Sequence, residues 1–245
     1  MRTRTTILLV LLAAMLAGCA TNNMSRQWKR KYNAPPMKEQ VAMVMDPDDP
    51  DRRREGLEYL ANGPTAQDEE TLKLFALLAS EDSSPFVRAS AVTALGNGEN
   101  PTFADVLISR LNDESAMVRA EAAEALGKVT HDDAIQPLIG AAISDEDVAV
   151  RFQAVRSLPA YRDTNAIQTL VQLLDDRELT VRREAHKALV ASYGVDLGTE
   201  PFEWEEQVAQ GLPPVDAPKH SRWKRWWTRR DKASEDATQE EQTDD

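Results

Sequence analysis

Val87-Arg88-Ala89-Ser90-Ala91-Val92-Thr93-Ala94-Leu95-Gly96 is the stretch on which the reading of this chain turns, because it returns three times downstream. VRAEAAEALG begins at residue 118, VRFQAVRSLP at 150 and VRREAHKALV at 181, so successive starts lie 31, 32 and 31 residues apart. A looser copy, RRREGLEYLA, begins at 52, 35 residues before the first. A fixed period of this size marks a stacked-repeat architecture. Counted from the Arg of each copy, small or apolar residues stand three, four and seven positions later: Ala91, Val92 and Leu95, then Ala122, Ala123 and Leu126, then Ala154, Val155 and Leu158. That spacing lines one stripe of an α-helix. In the last copy Ala185 and Leu189 keep the stripe and His186 interrupts it.

Each of these helices follows another. Leu72/Phe75/Ala76/Ala79, Phe103/Val106/Leu107, Ile135/Leu138/Ile139 and Ile167/Leu170/Val171 repeat at helical spacing, and the first pair begins near Met37. Short acidic turns join the partners, among them ASEDSSP, NDES, SDEDV and DDREL. Their Asp and Ser oxygens suit the open amides of a helix start. Strand-like alternation is missing throughout. The expected fold is all-α, a solenoid of about five antiparallel helix pairs over residues 37–195.

Asp82, Asp113, Asp145 and Asp176 each precede an Arg by six residues: Arg88, Arg119, Arg151 and Arg182. At 100° per residue the Arg falls near the middle of its own apolar stripe, where an unpaired charge is costly. The pattern D-x4-VR-xx-A[AV]-xx-L, after an apolar helix such as AIQPLIGAA, resembles bacterial HEAT repeats of the short, roughly 31-residue kind. The resemblance covers about residues 38–193 and is weakest in the first unit, where Arg52 replaces the Val. It implies that these Asp and Arg form a structural ladder, each Asp meeting an Arg or backbone groups of its own or the next unit.

The flanks differ in kind. Residues 1–18, MRTRTTILLVLLAAMLAG, join a basic start to an apolar run too short for a stable span. They lead into Leu16-Ala17-Gly18-Cys19, which resembles the lipobox of bacterial lipoprotein precursors, and Cys19 is the only Cys of the chain. The resemblance implies cleavage before Cys19, its lipidation, and a membrane anchor. With Ala rather than Asp at position 20, it also implies the periplasmic face of the outer membrane, or the outer leaflet of the cell membrane in a host with one membrane. A tether (19–36) would follow. Beyond the repeats we expect a cap (196–212), a linker with a Trp/Arg-rich segment (213–230) and an acidic disordered tail (231–245). SRWKRWWTRR, from 221, places Trp223, Trp226 and Trp227 on one side of a helix and Arg222, Arg225 and Arg229 on another. Such a segment fits an anionic membrane interface, or a contact with the solenoid or a partner.

Composition narrows the function. With 29 Lys+Arg against 41 Asp+Glu, a net charge of −12, the chain is a poor nucleic-acid ligand. Two families with this repeat type handle cofactors: deoxyhypusine hydroxylases, whose His-Glu dyads hold two irons, and bilin lyases. Here His131, His186 and His220 precede Asp132, Lys187 and Ser221, so no dyad forms. No HExxH, GxSxG or P-loop motif occurs. The expectation is a non-enzymatic, lipid-anchored envelope scaffold, without cofactor, metal or small-molecule substrate, that binds a protein partner. Two alternatives stand beside it: a lyase-like or other cofactor-handling HEAT protein, and an envelope structural tether to peptidoglycan. Outward positions of the second helices supply the candidate partner surface, with Phe152 as an exposed anchor beside Arg156, Arg183 and Lys187, and Trp223, Trp226 and Trp227 as a second candidate.

Overall fold

The computed structural model describes residues 34–209. Cys19, Trp223, Trp226, Trp227, the expected signal peptide, most of the expected tether and the expected acidic tail lie outside the described residues. Among the described residues there are eleven α-helices and no strand: α1 (Met37–Val44), α2 (Pro50–Ala61), α3 (Glu69–Glu81), α4 (Pro85–Gly98), α5 (Ala104–Arg110), α6 (Ala116–Lys128), α7 (Ile135–Ser144), α8 (Val148–Ser157), α9 (Thr164–Gln172), α10 (Leu179–Tyr193) and α11 (Pro201–Ala209). Paired in order, α1 to α10 give the five antiparallel pairs of an all-α solenoid, and α11 follows the last. No described helix is long and apolar enough to cross a membrane.

The described residues divide into two compact units, 34–94 and 95–209, with the boundary inside α4. In the first unit Leu57, Leu60, Leu72 and Phe75 are all but fully buried. Pro50 opens α2 at its first position, where a missing amide costs nothing, and the Asp49 carboxylate accepts from the amides of Asp51 and Arg52. The opening helix α1 buries little. Val44 is inside, but Val41 and the adjoining Met45 are exposed, because a helix of eight residues presents barely two turns to its partner.

In the second unit the apolar stripes of α6, α8 and α10 are sealed: Leu126, Leu158 and Leu189 have no accessible surface. First helices α5, α7 and α9 contribute Leu107, Leu138 and Leu170, equally buried. Turns between pairs are tightened by single turns of 3-10 helix at Pro101–Phe103, Asp132–Ala134 and Leu158–Tyr161. At the last of these the Tyr161 hydroxyl donates to the Leu126 carbonyl at 2.7 Å, and burial pushes its pKa up to about 12. Gly194, at φ 71°, ends α10 in the left-handed conformation that glycine adopts without strain.

Trp204 of α11 is completely buried. Its indole N–H donates to the Gly198 carbonyl at 2.8 Å, and its ring lies 6.0 Å from Tyr193 and edge-on to His186 at 6.3 Å. Helix α11 thus covers an apolar surface that the end of a repeat stack would otherwise expose. Phe202 of the same helix is 74% exposed and takes no part in this cover. It stands two positions before Trp204, so on a helix the two rings cannot face the same way.

Candidate functional site

Three features of the described residues carry candidate chemistry: the Asp/Arg series, the outward strip of the second helices, and a groove beside α11. In the series, each Asp sits in the turn before a second helix and does two jobs there. Its Oδ1 accepts the amide two residues on, at 2.8 Å from Ser84 to Asp82, 2.9 Å from Ser115 to Asp113, 2.9 Å from Asp147 to Asp145 and 2.7 Å from Glu178 to Asp176. Its backbone carbonyl accepts from the Arg six residues later, at 2.9 Å for Arg88, 3.0 Å for Arg119 and Arg151, and 2.7 Å for Arg182.

In three arginines the remaining nitrogens reach the next repeat. In the second unit Arg119 forks onto Asp145 at 2.8 and 2.9 Å, and Arg151 onto Asp176 at 3.3 and 3.4 Å. In the first, Arg53 forks onto Asp82 at 2.8 Å through both nitrogens and donates to the Asp46 carbonyl at 3.0 Å. Arg53 and Asp46 are the first rung, hidden from a six-residue rule because the turn MDPDDPD sets them seven apart. Burial pushes the Asp145 carboxyl up, but hydrogen bonds from Arg119 and the Asp147 amide outweigh it, and it titrates below the ordinary aspartate value. Arg119 is correspondingly raised, chiefly by its hydrogen bond with Asp145. The polar atoms cited are spent on bracing each turn and on joining one repeat to the next.

On the outward strip, Arg156, Arg183 and Lys187 are exposed, and Lys187 pairs with Glu184 at 3.2 Å. Phe152 is half-buried, not the exposed anchor expected. The expectation treated α8 as an isolated helix, but α6 and α10 pack on either side of it and narrow its open strip. Next to it, Gln153 donates to Glu124 of α6 at 3.2 Å, and Glu124 pairs with Lys128 at 3.1 Å. The strip is therefore cross-braced along its α6–α8 edge.

The groove was not foreseen. It lies between α9 and α11, encloses about 720 Å³ and is lined by Gln168, Val171, Gln172, Asp175, Pro201, Glu205, Val208 and Ala209. Sequence gave no signal for it, since α11 lies outside the repeat and its placement depends on the burial of Trp204. On the inner side of the same helix, the Gln207 amide and the hydroxyl of Tyr193 are buried without a hydrogen-bond partner.

The HEAT-repeat family model matches residues 71–147 and 104–190, and HEAT repeats are thereby detected in the chain. Among curated proteins, the chain is 30% identical over 109 residues to deoxyhypusine hydroxylase of Phaeosphaeria nodorum, covering 44% of this chain and 30% of that one. The chain thus spans under a third of that relative's length. Among solved structures, the complex of CpcE and CpcF of phycocyanin lyase from Nostoc sp. PCC7120 superposes with a TM-score of 0.55 at 19% identity, covering 70% of this chain and 68% of that one. An engineered protein matches with a TM-score of 0.50 at 20% identity, over 72% and 88% of the two chains. At these identities the structures bear on the fold alone.

The curated relative overturns the expectation of a non-enzymatic scaffold: the sequence likeness leads to an enzyme. Absence of a local motif was too weak a ground for excluding activity. A repeat protein assembles its sites from residues on separate helices, which leaves no contiguous signature. The described residues do not fit the iron chemistry expected of that hydroxylase family. Of the described histidines, His131 lies beside Asp133 at 3.6 Å and His186 meets Asp196 at 2.8 Å. No group of three or more His, Cys, Asp or Glu among the described residues is arranged to hold a metal. We derive no step through a di-iron centre.

Proposed function

We propose that this chain is a cofactor-handling HEAT-repeat protein of the lyase-like kind, which holds a small organic group in the groove between α9 and α11. The groove carries this reading. Its volume of about 720 Å³ falls in the range of small-molecule sites. Its lining combines apolar Val171, Pro201 and Val208 with the amides of Gln168 and Gln172 and the carboxylates of Asp175 and Glu205. Such a lining selects a flat or branched organic group with hydrogen-bond donors or a positive charge, and disfavours phosphate. Sequence likeness to a curated hydroxylase favours an active HEAT chain over a passive scaffold, and α6, α8 and α10 offer exposed Arg156, Arg183 and Lys187 to an acidic protein partner.

The reading includes a lipid anchor. Cys19 follows Leu16-Ala17-Gly18 in the order lipidation requires, and two or more acyl chains give stable attachment. The anchor would place the protein on the periplasmic face of the outer membrane. Globomycin should cause precursor to accumulate, whereas membrane attachment that survives Cys19→Ser would remove the anchor from the account. An absorbance spectrum and metal analysis of protein purified from its native host test the cofactor reading. The expected result is a stoichiometric organic chromophore without stoichiometric iron. A spectrum of aromatic side chains alone, with no metal, would count against it.

A further inference from the structure

One register of the repeats is apolar where solvent would favour polarity. Met117, Val148 and Leu179 stand 31 residues apart, each in the first turn of a second helix, and are 45%, 41% and 48% exposed. In the first unit Phe86 occupies the same register and is 58% exposed. Single exposed apolar residues need no explanation, but the same position left apolar in successive repeats makes a row. Within the second unit, α6 packs on α8 and α8 on α10, so three of these side chains follow one another along a single edge. Ile143, also exposed, ends the first helix beside Val148.

That edge is acidic. Glu114, Glu146, Asp147, Asp175 and Glu178 lie in the turns that lead into the three helices. The opposing cations there are Arg177, Arg110 and the ladder arginines Arg119, Arg151 and Arg182, whose guanidinium groups are held by Asp and backbone carbonyls. Glu146 keeps only a 3.6 Å approach to Arg119 and is 90% exposed. An occupant of this edge needs large apolar groups interleaved with positive charge.

We propose that the chain's own segment 221–230, SRWKRWWTRR, docks along this row, its Trp223, Trp226 and Trp227 against the apolar strip of Met117, Val148 and Leu179 and its arginines against the acidic turns. The point of departure favours it. The described chain ends at Ala209, which lines the same groove as Asp175, four residues before Leu179. Residues 210–222 reach at most roughly 45 Å when extended. Three helices packed at about 10 Å spacing place the whole row within roughly 20 Å, well inside that reach. A tethered segment also enjoys an effective concentration far above that of any separate chain.

Trypsin cleavage tests the docking, because the segment itself carries Arg222, Lys224, Arg225, Arg229 and Arg230. In the full mature chain, cleavage within 222–230 should be about tenfold slower than in Val148→Asp/Leu179→Asp, since protection follows the population of the released state. The two substituted side chains are surface groups, so circular dichroism should be unchanged. A readout independent of any substitution is salt: 0.5 M NaCl should speed cleavage of the unaltered chain severalfold. Equal rates in the two proteins and at both salt levels would overturn the proposal. So would protection that appears only at high protein concentration, the mark of a second copy, or only with anionic phosphatidylglycerol vesicles, the mark of a membrane.

Discussion

Arg151 concentrates the physical argument of the molecule in one side chain. It is 1% exposed, yet carries a charge that it divides between its own turn and the next. Removing it leaves Asp176 buried beside an empty space, and breaking one side of a buried pair costs about 3–5 kcal/mol. Arg151→Ala should lower the urea midpoint by that measure, whereas exposed Arg183→Ala should change stability by less than about 0.5 kcal/mol. Asp145 adds a pH dependence. Its pKa is depressed in the folded state, so the stability it lends is present above the unfolded value of 3.8 and is lost as pH falls through the lower folded value. Melts at pH 6 and pH 3 should therefore differ less in Asp145→Asn than in the unaltered chain. Gln207 points the opposite way: its buried amide lacks a partner, and Gln207→Leu should raise stability by about 1 kcal/mol.

Among the helices, close approach decides what is tolerated. A Cβ at Gly96 would lie 2.7 Å from the Cβ and 2.9 Å from the Cα of Ala125, so α4 and α6 meet there with no room for a methyl. Gly96→Ala should cost about 1–3 kcal/mol through overpacking, more than its gain in helix propensity. At Gly140 of α7 a Cβ would meet nothing within 4 Å. There the same substitution should stabilise by up to about 1 kcal/mol, and thermal melts of the pair would show opposite shifts. These contacts also explain what the sequence could tell. Its 31-residue period exposed the helix pairs, because stripe residues such as Leu126 and Leu158 repeat with it. It could not rank positions on the open side, because the exposure of Phe152 depends on neighbours that a single helix does not reveal. It suggested a cap over 196–212, but it could not fix which face of α11 is buried, because Trp204, Gln207 and Val208 pack in a pocket that belongs to no repeat.

For the molecule as a whole, two kinds of information separate. Architecture is redundant, written several times over in Arg53, Arg119 and Arg151 and their partners, and is legible for that reason. The function we propose rests instead on one place, the groove beside α11, whose lining residues come together only after the last pair has folded. Local motifs therefore led away from activity, and the likeness to a curated enzyme corrected that reading. The most direct measurement of the central claim is native mass spectrometry of the full chain purified from its host, beside the variant Val171→Trp, which fills the groove. The account predicts a stoichiometric non-protein mass on the unaltered chain, in addition to the lipid, that is lost from the variant while its helicity is unchanged. Identical masses in the two, with the sequence and lipid accounting for both, would contradict it.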